Sequence, residues 1–110
     1  MENTQAPEQI IDIHSAPYFD KWYAGIKSAK LIAAINRRLD NIAIKGLFGD
    51  HKNIEGKINE LRIFLDAGYR VYYTFDGVKV VLLLCGGDKS SQSKDIQKAK
   101  EILREVENEA

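Results

Sequence analysis

Four cations are spaced so that alternating strands would gather them: Lys52, Arg62, Arg70 and Lys89, with Tyr72 two residues past Arg70. In INELRIFL (58–65) alternation sends Leu61, Ile63 and Leu65 to one side and Glu60, Arg62 and Phe64 to the other. In YRVYYTF (69–75) it sets Tyr69, Val71, Tyr73 and Phe75 against Arg70, Tyr72 and Thr74. A three-residue loop at 66–68 pairs Leu65 with Tyr69, Ile63 with Val71 and Leu61 with Tyr73, which puts Arg62 across from Tyr72. Asp76-Gly77 is a strong two-residue hairpin signal. It pairs Phe75 with Val78, Tyr73 with Val80, Val71 with Leu82 and Tyr69 with Leu84. Gly86-Gly87 is then expected to turn the chain sharply beside Arg70, with Lys89 over the same end and Lys52 joining from upstream. Fixed cations beside an aromatic suit single-stranded nucleic acid, with phosphates on the cations and a base stacked on Tyr72. On RNA, close cations also stabilise the pentacoordinate phosphorane formed when a 2′-hydroxyl attacks the next phosphate. His51 is the one nearby side chain whose titration range suits general acid–base work. The competing reading of the same residues is an ordinary charged sheet surface, with Glu60–Arg62 a weak exposed pair.

The elements that must hold these residues follow from periodicity. QIIDIH (9–14) alternates as a short strand. Pro17 suits the first turn of a helix with Ser15 as a cap, and Tyr18, Phe19, Trp22, Tyr23 and Ile26 form its apolar face. Gly25 and Ser28 mark a break. Leu31, Ala34, Ile35, Leu39 and Ile42 then stripe a second helix, giving a helical hairpin. A short strand falls near 50–54. VKVVLLLC (78–85) is apolar on both faces, as a central strand is. Ile96, Ala99, Leu103 and Val106 mark a last amphipathic helix, with Ser91 or Ser93 at its cap and Asp95 in its first turn. The order β-α-α-β-β-β-β-α predicts an α+β fold, an antiparallel sheet with helices on one face.

The chain has 110 residues, 45% of them hydrophobic and 29% charged, which suits one globular domain over 1–110 with residues 1–8 flexible. MENTQAPEQI lacks the basic and apolar regions of a secretory signal, and no segment reaches the length of a membrane helix. The expected location is the cytoplasm, with no membrane partner. The single cysteine, Cys85, sits in an apolar run and reads as a buried thiol. His14 and His51 with one cysteine give no metal-ligand spacing, so neither metal nor cofactor is expected. GGDKSS lacks the first glycine of a P-loop. Formal net charge is zero, but residues 1–20 hold four acids and no Lys or Arg, while residues 21–70 hold ten Lys or Arg and five acids. A neutral total therefore allows a basic face mid-chain.

Taken together, Gly49, Asp50 and Lys52, the ELRI of residues 60–63, the GYRVYY of residues 68–73 and GGDK with Gln92, Asp95 and Ile96 resemble the RelE/HigB-type toxins. The resemblance is to their addiction module killer protein branch. FDKWYAGIKSAKLIAAINRRLDNI also resembles that family's aromatic helix followed by its I-x-x-R-L helix, so the likeness spans roughly residues 10–105. It implies a RelE-like fold and a ribosome-dependent endoribonuclease, a hydrolase or mRNA interferase acting without a metal. The implied partners are the ribosome with its mRNA and a cognate helix-turn-helix antitoxin. It assigns Lys52, Arg62, Arg70 and Lys89 to catalysis on the phosphate, and Tyr72 and Gln92 to RNA binding; His51 has no anchored counterpart and is kept as a neighbouring RNA contact. The chain departs from the family in its neutral charge, its acidic end and Asp66-Ala67-Gly68 in place of Gly-Pro-Gly. The rival readings are an inactive member of the same fold that only binds antitoxin or RNA, and a small RNA-binding domain with no toxin role.

Overall fold

A computed structural model describes residues 10–109. The expected flexibility of residues 1–8, and Gln9 of the expected first strand, lie outside them. The elements run β1 (Asp12–Ser15), α1 (Pro17–Ala24), α2 (Ala29–Lys45), β2 (His51–Glu55), β3 (Ile58–Ile63), β4 (Tyr69–Phe75), β5 (Val80–Asp88), a 3₁₀ turn (Lys89–Ser91) and α3 (Gln92–Asn108). This is the α+β order read from periodicity.

Local chemistry explains the helix ends. Pro17 opens α1, where its missing N–H costs nothing. Ser15 does not cap it; its hydroxyl donates to Asp20 Oδ1 (2.6 Å) from one residue too early. Ser28 caps α2 by accepting from Leu31 N (3.2 Å), and Gly46 closes it in the left-handed conformation at φ 67°. The α2 stripe buries Leu31, Ile35 and Ile42 on the sheet.

The sheet order is β1-β5-β4-β3-β2. It is not wholly antiparallel: β1 lies parallel to β5, because two helices and three strands separate them in the chain. Nor are the helices on one face. Leu61, Ile63, Val71, Tyr73, Val81 and Leu83 pack with Phe19, Leu31, Ile35 and Ile42 of α1 and α2. Ile58, Tyr72, Leu84 and Cys85 pack with Ala99 and Ile102 of α3 on the other face.

Both hairpin registers differ from expectation. β3 and β4 pair Ile63 with Tyr69, Leu61 with Val71 and Arg62 with Arg70, so the loop holds residues 64–68. Asp66 (φ 52°) and Gly68 (φ 89°) both turn left-handed there, and Gly68 N donates to Leu65 O (2.9 Å). Phe64 and Leu65 thus belong to the loop. The slip is two residues, so every side chain keeps its face.

β4 and β5 pair Phe75 with Val81 and Tyr73 with Leu83, after a loop closed by Asp76 N to Val80 O (2.8 Å). That slip is three residues, so β5 is inverted: Val81 and Leu83 face α1 and α2, while Leu82 and Leu84 lie with the α3 cluster. A bulge follows between Tyr72 and Tyr73, with Tyr72 opposite Cys85. Among the described residues, no helix is long and apolar enough to cross a membrane.

Candidate nucleic-acid interface

Direct pairing of Arg62 with Arg70 sets two guanidinium groups side by side on the α3 face. Two like charges at that distance repel, and the structure supplies the counter-charge one position away. Glu60, opposite Tyr72 and 1% exposed, lies with Oε1 3.4 Å from Arg62 Nε and Oε2 3.3 Å from Arg70 Nε. Gln92 Nε2 donates to the same carboxylate at 3.1 Å. The arginine contacts are ionic, since neither Nε finds a hydrogen-bond partner among the described residues. A buried carboxylate needs such company. One negative charge between two positive ones leaves the group net cationic.

The arginine side chains are 34% (Arg62) and 14% (Arg70) exposed. They open into a cleft of about 410 Å³ whose wall is the 64–68 loop and whose far rim is Lys89. Lys89 is anchored through its backbone, its N–H donating to Gly68 O (3.1 Å), which leaves the side chain exposed. Three of the four expected cations therefore share one cleft.

The glycine pair is not a turn. Gly86 and Gly87 lie inside β5, buried and paired with Val71 and Arg70. Each is glycine for a different neighbour. A methyl group at Gly86 would overlap the Trp22 ring on one face, and at Gly87 it would overlap Asp95 and Ser91 on the other. Asp95 Oδ2 accepts from Ser91 Oγ (2.5 Å). Asp88 accepts at one oxygen from Ser90 N (2.8 Å) and Ser90 Oγ (2.6 Å), bonds that lower its pKa and close the 3₁₀ turn. Residues 86–95 thus form one device: close approach on both faces, then a capped turn that presents Lys89 and sends Gln92 back to Glu60.

The remaining expected residues are placed differently. Lys52 is exposed and sits across from Glu60 on the edge strand β2, on the arginine face but outside the cleft lining. His51, one residue away, points to the opposite face. Its Nδ1 lies 2.8 Å from Gly49 O and its ring packs against Phe48 at 5.7 Å, so it does not join the cations. Tyr72 is fully buried under α3 and offers no open ring for a base. Among the described residues its hydroxyl has no hydrogen-bond partner, and burial, then the nearness of Glu60, push its pKa up. A strand residue facing a helix-covered side cannot be a stacking platform; the expectation fails because it leaves that face open. Gln92 bonds within the protein rather than standing free.

Two residues that shape the site escape sequence reasoning. Glu60 reads there as a surface partner of Arg62, and alternation alone does not show that α3 buries it. Arg38, in the I-x-x-R-L stretch, donates through Nη1 to Arg62 O and through Nη2 to Phe48 O (2.7 Å) and Asp50 O (2.9 Å). It ties α2 to β3 and to the loop before β2, and its guanidinium fills the space beside Gly49. Desolvation lowers its pKa, opposed by Asp50. An arginine at a half-buried position of an amphipathic stripe is the available signal.

An uncharacterized protein of Haemophilus influenzae is 43% identical over 96 residues, covering 87% of this chain and 96% of that protein. Residues 26–106, from just after α1 to the last turn of α3, match the model of the phage-derived Gp49-like proteins (DUF891). That span contains Arg38, Glu60, Arg62, Arg70 and the whole 86–95 device. By this match the chain belongs to the Gp49-like family, a family of toxins of the RelE and addiction-module type.

Proposed function

We propose that this protein is the toxin of a type II toxin–antitoxin module and cleaves translated mRNA on the ribosome without a metal. The observation that carries the reading is the convergence of Arg62, Arg70 and Lys89 on one open cleft, with Glu60 holding both arginines by Nε. Restrained at Nε by the Glu60 charge, each guanidinium keeps its Nη groups for a ligand in the cleft that it lines, a planar fork suited to a phosphate. In the reaction the 2′-hydroxyl gives its proton to solvent as its oxygen bonds to phosphorus, and the P–O5′ bond breaks with O5′ taking a proton from solvent, leaving a 2′,3′-cyclic phosphate and a 5′-hydroxyl. The arginines stabilise the charge growing on the non-bridging oxygens, and Lys89 stabilises the departing 5′-oxygen. Lys52 binds a phosphate further along the strand. The ribosome supplies alignment, so free RNA is a poor substrate. A helix-turn-helix antitoxin silences the protein by covering the cleft with acidic residues.

A second reading is an inactive member that only binds antitoxin or RNA. Burial of Tyr72 and the carboxylate already present between the arginines favour it. Induced expression with mapped mRNA 5′ ends separates the two. New ends inside translated codons, absent from untranslated copies of the same message, are expected. Neither growth arrest nor new ends would leave the binding module.

A further inference from the structure

Tyr69 walls two clefts. On one side it borders the arginine cleft; on the other it closes a second cleft of about 510 Å³, lined by Lys21, Trp22, Ile26, Lys27 and Leu31. The two meet at the end of the sheet where Tyr69 pairs with Asp88, one residue before Lys89. The Trp22 ring is seated on the Gly86 backbone, so its position is fixed by close contact. Lys21 and Lys27 are exposed, and among the described residues they take part in no ion pair and no acidic residue lines this cleft.

We propose that Trp22 and Tyr69, flanked by Lys21 and Lys27, form a nucleotide subsite that stacks a base of single-stranded RNA beside the phosphate held by Arg62, Arg70 and Lys89. This rests on the reading of the arginine cleft as an RNA site. The strand passes over the Tyr69 edge, with one phosphate in the arginine cleft and the neighbouring base and phosphate in the aromatic one. An aromatic platform flanked by two lysines, with no acid among its described lining residues, matches a base with its phosphate. An apolar peptide would have no use for the lysines. The arrangement supplies the aromatic surface that the buried Tyr72 does not.

Trp22 is the single tryptophan, so its emission reports on this cleft alone. Full-length protein titrated with a hexa-adenylate oligonucleotide should show saturable quenching that weakens as salt rises. The Lys21→Glu/Lys27→Glu variant changes exposed residues and should fold normally. Its affinity should fall at least tenfold, and its salt slope should drop by about 0.7 for each phosphate no longer neutralised. Trp22→Leu, checked for its fold by circular dichroism, should bind end-labelled hexa-adenylate about tenfold more weakly. The proposal is overturned if labelled oligonucleotide binds while Trp22 emission stays constant. It is equally overturned if no binding appears up to millimolar oligonucleotide, if the double lysine variant binds like wild type, or if poly-glutamate quenches Trp22 and RNA does not. Cleavage of ribosome-bound mRNA without quenching would remove the subsite and leave the proposed activity standing. Quenching without cleavage would keep the subsite and remove the activity.

Discussion

Arg38 and the Arg62–Arg70 pair are built from the same side chain and used in opposite ways. Arg38 gives its guanidinium to three backbone carbonyls, on β3 and on the 48–50 loop, and none of these partners is charged. The Arg62 and Arg70 side chains face one carboxylate through Nε, without hydrogen-bond geometry, and among the described residues they make no hydrogen bond to a backbone carbonyl. The first arrangement satisfies the cation and leaves it nothing to offer a ligand. The second restrains two cations that line a cleft and, among the described residues, leaves their side chains without a hydrogen-bond partner. The lesson is that an arginine's role is read from which of its N–H groups are already engaged, more than from its burial.

The largest loss is expected at Arg38. Arg38→Ala removes three charge-assisted bonds at a half-buried site and should cost about 3–5 kcal/mol in a urea titration. Glu60→Gln removes the counter-charge between two guanidinium groups. The loss should be about 2 kcal/mol, below that for breaking a fully buried pair because Arg62 reaches solvent. Arg70→Lys keeps the charge but not the planar fork, and should lower the single-turnover cleavage rate about tenfold with little change in stability. The smallest effect is confined to alkaline pH. Burial pushes the Cys85 thiol from 9.0 to about 12 and the Tyr73 phenol from 10.0 to about 12. The folded chain keeps these protons when the unfolded chain has lost them. Stability should therefore be flat below pH 9 and fall steadily from there towards pH 12, as thermal unfolding across that range would show.

What is legible in the sequence depends on whether a register error is even or odd. Expecting a three-residue loop at 66–68 misplaces the β3–β4 register by two, which exchanges partners but keeps Arg62 and Arg70 on one face. The two-residue turn expected at Asp76-Gly77 misplaces β5 by three and inverts it. VVLLLC is apolar at every position, so it carries no phase to correct such a slip, and the bulge at Tyr72/Tyr73 shifts the phase again. The cations can be gathered from alternation because their strands are half polar. The fate of Tyr72 cannot, since it depends on α3 crossing back over that face, a contact far apart in the chain. Gly86-Gly87 stands out in the sequence, but its reason, the Trp22 ring on one side and Asp95 on the other, lies in packing that no local pattern encodes.

The central claim is that Arg62, Arg70 and Lys89 act together on one phosphate of ribosome-bound mRNA. The direct measurement is single-turnover cleavage of a short message on programmed ribosomes, comparing wild type with Arg70→Ala and Lys89→Ala, each checked for its fold and for antitoxin binding. Each variant should retain its fold, bind the antitoxin more weakly for want of one cleft cation, and cleave on the order of a hundredfold more slowly, with the wild-type rate unchanged by EDTA once the ribosomes have been fixed in place. Variants that cleave as fast as wild type would contradict the assignment of this cleft, and a wild type that cleaves nothing on translating ribosomes would contradict the activity itself.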